Sequence, residues 1–127
     1  MSAPISSLMS RTICTVGMDD TIAQVEGTLA AKGLSWAPVL DAGGAFLGVI
    51  SASDLLQFHA QQRDPLAVRA WQLCSYKPLS VDETTPVAEV ARLMVEQRIH
   101  HVVVTSRSVL AGVVSSLDFV RTFVRKS

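Results

Sequence analysis

The sequence predicts an α+β fold made of tandem β-α-β-β-α repeats packed as one pseudo-two-fold module. Three observations predict it. The chain repeats itself: an offset of 65 lays residues 8–40 over 73–105, and after a one-residue gap an offset of 64 lays 48–54 over 112–118. Within each copy the apolar residues switch from helical spacing to strand-like runs. Capping and turn residues then punctuate the same places in both copies. Six of the 33 pairs in the first alignment are identical, and character is better kept than identity, as in Ile22 over Val87, Leu29 over Met94 and Leu34 over Ile99. Residues 1–64 and 65–127 are the two motifs this spacing defines, each with a helical lead-in.

Each copy opens with a short extended piece, Ile13–Val16 or Leu79–Val81. The helix after it carries Ile22, Val25 and Leu29 on one face, and in the second copy Val87, Val90 and Met94. Thr85 before Pro86 reads as a helix start, with the hydroxyl capping and proline in the first turn, where no amide hydrogen is needed. Gly33 suits the left-handed residue that ends the first helix, and Arg98 holds that place in the second at some cost in strain. Two strands follow: Trp36–Leu40 and Phe46–Ile50 around Asp41-Ala42-Gly43-Gly44, then His101–Thr105 and Val109–Val114 around Ser106-Arg107-Ser108. A second helix starts at Ser51 or Ser115. Between the copies, Asp64-Pro65 breaks the chain and is expected to cap a helix over Leu66–Leu73. The last helix places Leu117, Val120 and Val124 on one face, for core or dimer packing.

Composition narrows the function. Lys plus Arg is 11 and Asp plus Glu is 11, so the formal charge is zero. Nucleic-acid binders carry a basic surplus to displace counterions, so nucleic acid is not an expected partner. Charged residues are 17% and hydrophobic ones 49% of 127 residues. A chain this small has few charges to cover a large surface, which predicts a homo-oligomer. No apolar run approaches the roughly 18 residues of a membrane span, and the N-terminal residues lack the pattern of a signal peptide. A cytoplasmic protein with Cys14 and Cys74 as reduced, buried thiols is the expectation.

The doubled Gly-x-x-Ser-x-x-Asp segment carries the chemistry. As structure alone, Ser51 and Ser115 are helix N-caps, and Asp54 and Asp118 complete capping boxes, each worth about 1 kcal/mol. As chemistry, the same junction is an anion site at a positive helix end. The preceding glycine lets a ligand approach the backbone, and the carboxylate can accept hydrogen bonds from a ribose diol. A Ser115, His100 and Asp118 hydrolase triad fails because serine and aspartate stand three apart at one helix end, with no nucleophile elbow. His59, His100, His101, Cys14 and Cys74 have no metal-ligand spacing, so neither a catalytic nor a metal site is expected.

With these residues in place, the chain resembles a cystathionine-β-synthase (CBS) domain pair, a free-standing Bateman module. The resemblance rests on Gly48–Asp54 and Gly112–Asp118, on Trp36-Ala37-Pro38-Val39-Leu40-Asp41, and on Ile99-His100-His101-Val102-Val103-Val104. It implies a non-catalytic regulatory module. AMP, ADP, ATP or S-adenosylmethionine would bind in clefts between the repeats, the module would dimerise, and a protein partner would receive the signal. It further implies that Asp118 and Asp54 hold ribose, with Ser115 and Ser51 near ribose or phosphate and Val113 and Val49 flanking the base. The Asp118 site would take Ile13, Cys14, Leu34 and Ser35 as its adenine wall. The Asp54 site would take Pro78, Leu79, Ile99 and His100. Basic residues at the head of the second strand would meet phosphate; Arg98, His100 and His101 stand there in the second copy, Gly33, Ser35 and Trp36 in the first. Val103 in place of Pro38 leaves one wall altered. The alternative is a ligand-free dimerisation and interaction module, in which both serine–aspartate pairs are only caps.

Overall fold

A computed structural model describes residues 3–76 and 79–126. The chain forms two compact units that are not simply its two halves: one comprises residues 14–76, the other 3–13 together with 79–126. The lead-ins are thus exchanged, each packing with the copy that does not follow it in sequence.

The unit of residues 14–76 contains β1 (Val16–Gly17), α1 (Ile22–Lys32), β2 (Trp36–Leu40), β3 (Phe46–Ser51), α2 (Ala52–Ala60), α3 (Ala70–Leu73) and β4 (Ser75–Tyr76). Its four strands run β1-β2-β3-β4, with β1 parallel to β2 and the other pairs antiparallel. Ile22, Val25 and Leu29 of α1 bury against Ala37, Val39 and Ile50 of the sheet, while Leu55 and Phe58 of α2 join the same core. Ala70 and Cys74 of the lead-in complete it.

The second unit contains a 3-10 turn (Ile5–Ser7), β5 (Ser80–Asp82), α4 (Val87–Gln97), β6 (His101–Ser106), β7 (Val109–Ser115) and α5 (Ser116–Lys126). Its sheet runs β5-β6-β7, and Ser10 adds an isolated bridge to Val113, where Ser75 pairs with Val49 in the other unit. Val87, Val90 and Met94 bury against Val102, Val104 and Val114, with Ile5, Met9 and Phe119 closing the core. Each copy therefore has its own core, closed by matching lead-in residues: Ile5 and Met9 in one, Ala70 and Cys74 in the other.

Exchange explains the glycines of the doubled segment. A Cβ on Gly48 would lie 2.4 Å from the Ser75 carbonyl oxygen, and one on Gly112 would lie 2.6 Å from Met9 Sδ and 2.8 Å from the Ser10 carbonyl oxygen. The space beside each glycine is filled by the lead-in chain, not left for a ligand as the sequence reading supposed. A bulge sits beside each glycine: register shifts between Val39 and Leu40 and again between Val104 and Thr105.

Four local expectations need correction. The helix expected over Leu66–Leu73 shrinks to Ala70–Leu73. The backbone before it serves α1 instead, since Ile22 N–H donates to the Val68 carbonyl (2.9 Å) and Ala23 N–H to that of Pro65 (3.0 Å). Thr85 is not the cap of α4; Pro86 takes that position, and Val87 N–H donates to the Ala3 carbonyl at 2.9 Å, a lead-in group supplying what a side chain would. The β6–β7 hairpin closes around two residues, Arg107 (φ 52°) and Ser108 (φ 68°), both left-handed, a turn whose twist matches that of its strands. Cys74 is buried, but Cys14 is only half-buried.

Candidate functional site

Each strand-to-helix junction is built by its sheet. The pairs Trp36–Ser51 and His101–Ser115 face each other across the antiparallel ladders at corresponding places. The first helical N–H then folds back onto the strand: Ala52 N–H donates to the Ser35 carbonyl (2.8 Å) and Ser116 N–H to that of His100 (3.0 Å). One of the helix-end donors offered to an anion by the sequence reading is thus used internally.

The caps are made in full. Ser51 N–H donates to Asp54 Oδ2 at 2.8 Å, the Ser51 hydroxyl donates to the same oxygen at 2.9 Å, and Asp54 N–H donates to Ser51 Oγ at 3.2 Å. In the second copy Ser115 N–H reaches Asp118 Oδ2 at 2.8 Å, the hydroxyl reaches it at 3.2 Å, and Asp118 N–H reaches Ser115 Oγ at 3.3 Å. Both carboxylates spend Oδ2 on the cap, which leaves Oδ1 as the oxygen available to a ligand. At Asp118 that oxygen lies 3.8 Å from Arg121 Nη1. The place matching Arg121 in the first copy is Gln57, which carries no charge.

The other predicted residues divide between the units. Val113, Ile13, Leu79, Ile99, His100 and His101 belong with Asp118 and Ser115; Val49, Cys14, Leu34 and Ser35 belong with Asp54 and Ser51. Pro78 lies outside the described residues. Val49 and Val113 are equally half-buried beside their serines, and Leu34 and Ser35 are exposed. His100 is exposed, with Nδ1 3.5 Å from Ser116 Oγ. His101 is half-buried; desolvation, reinforced by the neighbouring His100, holds its imidazole below the usual histidine value, with Asp118 pulling the other way. Burial pushes the Cys74 thiol up, so it stays protonated and unreactive at neutral pH. Sequence reasoning missed Arg121, although its i,i+3 spacing from Asp118 on a predicted helix was the signal. Among the described residues no cluster of His, Cys, Asp or Glu could hold a metal ion, and no helix is long and apolar enough to cross a membrane.

A doubled β-α-β-β-α unit with a serine–aspartate cap at each strand-to-helix junction defines the class as a tandem repeat module. The sequence pattern of the CBS domain matches residues 5–60 and again residues 70–125, and the chain belongs to the CBS domain family. An uncharacterized protein of Mycobacterium tuberculosis (strain H37Rv) is 28% identical over 126 residues, 98% of this chain and 35% of that protein. The chain therefore spans about a third of the length of this curated relative. Among solved structures, CBSX2 in complex with AMP superposes with a TM-score of 0.87 at 21% identity, covering 98% of each chain. The CBS domain pair of protein MJ0100, in complex with 5′-methylthioadenosine and S-adenosyl-L-methionine, gives 0.86 at 22% identity over the whole of both chains. At such identities the structural likeness establishes the fold.

Proposed function

We propose that this chain is a non-catalytic regulatory module that binds adenosine-containing ligands, AMP, ADP or ATP and by extension S-adenosylmethionine, and passes its liganded state to a protein partner. The observation that carries this reading is the doubled junction, where Asp54 and Asp118 each keep one carboxylate oxygen beyond the cap, at a helix end suited to a polar ligand. The ligands held by CBSX2 and by MJ0100 support an adenosine class. Asp118 with Ser115 and Val113 forms one half-site, with His100 and His101 nearby; Asp54 with Ser51 and Val49 forms the other. The helices that start at these caps, α2 and α5, are the elements a ligand would shift. A ligand moves the partner only through its differential affinity for two arrangements. The cytoplasm, where adenine nucleotides are abundant, is the proposed compartment.

Homodimerisation belongs to the same proposal. Leu117 (53% exposed), Val120 (49%) and Val124 (68%) of α5 in one unit, and Leu56 (73%) of α2 in the other, leave apolar surface uncovered on each unit of a lone chain. The second reading, a ligand-free interaction module, draws on this surface and on the caps' use of both Oδ2 atoms. Thermal melting in the presence of AMP, ADP, ATP or S-adenosylmethionine separates the two. At 100 times its dissociation constant, the right ligand raises Tm by roughly 5–15 °C. Asp118→Ala removes that gain at one half-site. No shift with any of the four would leave the interaction module as the function.

A further inference from the structure

The two half-sites share their cap geometry but differ in charge: the second copy has Arg121 and Arg98 where the first has Gln57 and Gly33. Asp118 and Asp54 are equally committed to their caps, each through Oδ2. Oδ1 of Asp118 faces Arg121 at 3.8 Å, whereas the corresponding place beside Asp54 holds the uncharged Gln57. The Arg121 side chain is 62% exposed, and that of Asp118 is 20% exposed. A guanidinium carries five N–H donors in a planar fork suited to two oxygens at once. A single contact at 3.8 Å is too long for a good hydrogen bond, so Arg121 lies beside Asp118 with its N–H donors not spent on that carboxylate. His101 opens β6 opposite Ser115, with His100 just before it, where the first copy has Trp36 opposite Ser51 and Ser35 before it.

We infer that Arg121 is a specificity-determining residue that makes the Asp118 half-site select phosphorylated adenosine ligands over uncharged nucleosides. The argument is electrostatic. A carboxylate that accepts a ribose diol repels a phosphate on the same ligand unless a cation lies between them. Arg121, one helical turn beyond Asp118, supplies that cation and a bidentate phosphate partner. At Asp54 the repulsion stands, because Gln57 brings no charge. The first half-site is accordingly indifferent to phosphate or disfavours it.

This inference rests on the adenosine-ligand reading, and the experiment separates the two. Calorimetric titration of the full chain with AMP and with adenosine, in the wild type and in Arg121→Gln, gives four affinities. The expected result is an AMP affinity lowered about tenfold in the variant, with adenosine changed less than twofold, as for the loss of one charge-assisted contact. Gln57→Arg is expected to move the ratio the other way at the first half-site. An equal loss for both ligands, or no loss for AMP, overturns the role assigned to Arg121. A gain in AMP affinity overturns it too, and makes Arg121 a competitor that occupies Asp118. If the wild type binds neither compound, the adenosine reading itself fails and takes this inference with it. An unchanged Tm for unliganded Arg121→Gln confirms that the exposed side chain is being tested as a ligand contact and not as part of the fold.

Discussion

At the end of α1 the chain turns through Gly33 with φ of 64°, and at the end of α4 it makes the same left-handed turn through Arg98 with φ of 54°. Beside the sheets, Gly48 lies against the carbonyl of Ser75, and Gly112 against Met9 and the carbonyl of Ser10. Comparison of the copies separates two kinds of position. Where backbone meets backbone, as at Gly48 and Gly112, both copies keep the same residue. Where only a local conformation is needed, as at Gly33 and Arg98, the surrounding structure imposes it on an unfavourable residue. At the rim of each junction neither constraint acts, and the copies diverge into Gln57 against Arg121 and Trp36 against His101.

The largest expected effect tests the first kind of position. Gly48→Ala drives a methyl group into a main-chain oxygen that cannot rotate away, so a loss of about 3 kcal/mol, or roughly 10 °C in Tm, is expected. Gly112→Ala meets the flexible Met9 side chain first and a carbonyl slightly farther off, so a loss nearer 2 kcal/mol is expected, at the middle of the usual range for overpacking. Urea denaturation of both variants checks the order. Equal tolerance of alanine at both sites would mean that the lead-ins do not pack on these glycines.

A smaller effect, of opposite sign, tests the second kind. Arg98→Gly removes the steric cost of a left-handed L-residue, about 1–2 kcal/mol, and adds part of the entropy that glycine loses on folding, for a net stabilisation of about 0.5–1 kcal/mol. Gly33→Arg should cost a similar amount. A Tm for Arg98→Gly below that of the wild type would show that the arginine side chain makes a contact worth more than its strain.

Positions set by pattern were legible in the sequence. The faces Ile22, Val25, Leu29 and Val87, Val90, Met94 lie in their cores as the helical spacing requires. Gly33 and Arg98 end their helices in the left-handed region, and Ser51 with Asp54 and Ser115 with Asp118 form the caps expected of them. What the pattern did not carry was the exchange of lead-ins. Residues 65–69 have the local signals of a helix, but the carbonyls of Pro65 and Val68 are taken by the first turn of α1, a tertiary demand that no local propensity reveals. The identity of Ser10 and Ser75 in the repeat was a trace of their matching roles beside β7 and β3, too slight to read alone. The glycines were read as openings for a ligand because a sequence cannot tell an empty approach from one occupied by its own chain. At the second junction Arg121 was legible by its i,i+3 spacing from Asp118, a signal the reading did not use.

The smallest expected effect concerns the divergent rim, where His101 stands in the place of Trp36. Desolvation holds the folded-state value of His101 below its ordinary 6.5, so folding disfavours its protonation. Above about pH 6.5 the imidazole is neutral in both the folded and the unfolded chain, and it exacts no cost. As the pH falls through 6.5 the unfolded chain takes up the proton first, and stability is lost until the folded-state value is passed. Because the side chain is only half-buried, solvent screens much of this, and the loss is expected to be on the order of 1–2 °C in Tm. His101→Gln cannot titrate, so between pH 7.5 and pH 5.5 its Tm should fall less than that of the wild type, while the carboxylates common to both chains contribute the same slope to each. Trp36 occupies the corresponding place in the first copy with a ring that does not titrate in this range, so Trp36→Phe should leave the pH slope unchanged whatever it does to the Tm itself. A steeper acid slope in His101→Gln than in the wild type would reverse the sign, and would mean that attraction to Asp118 outweighs the burial of the ring.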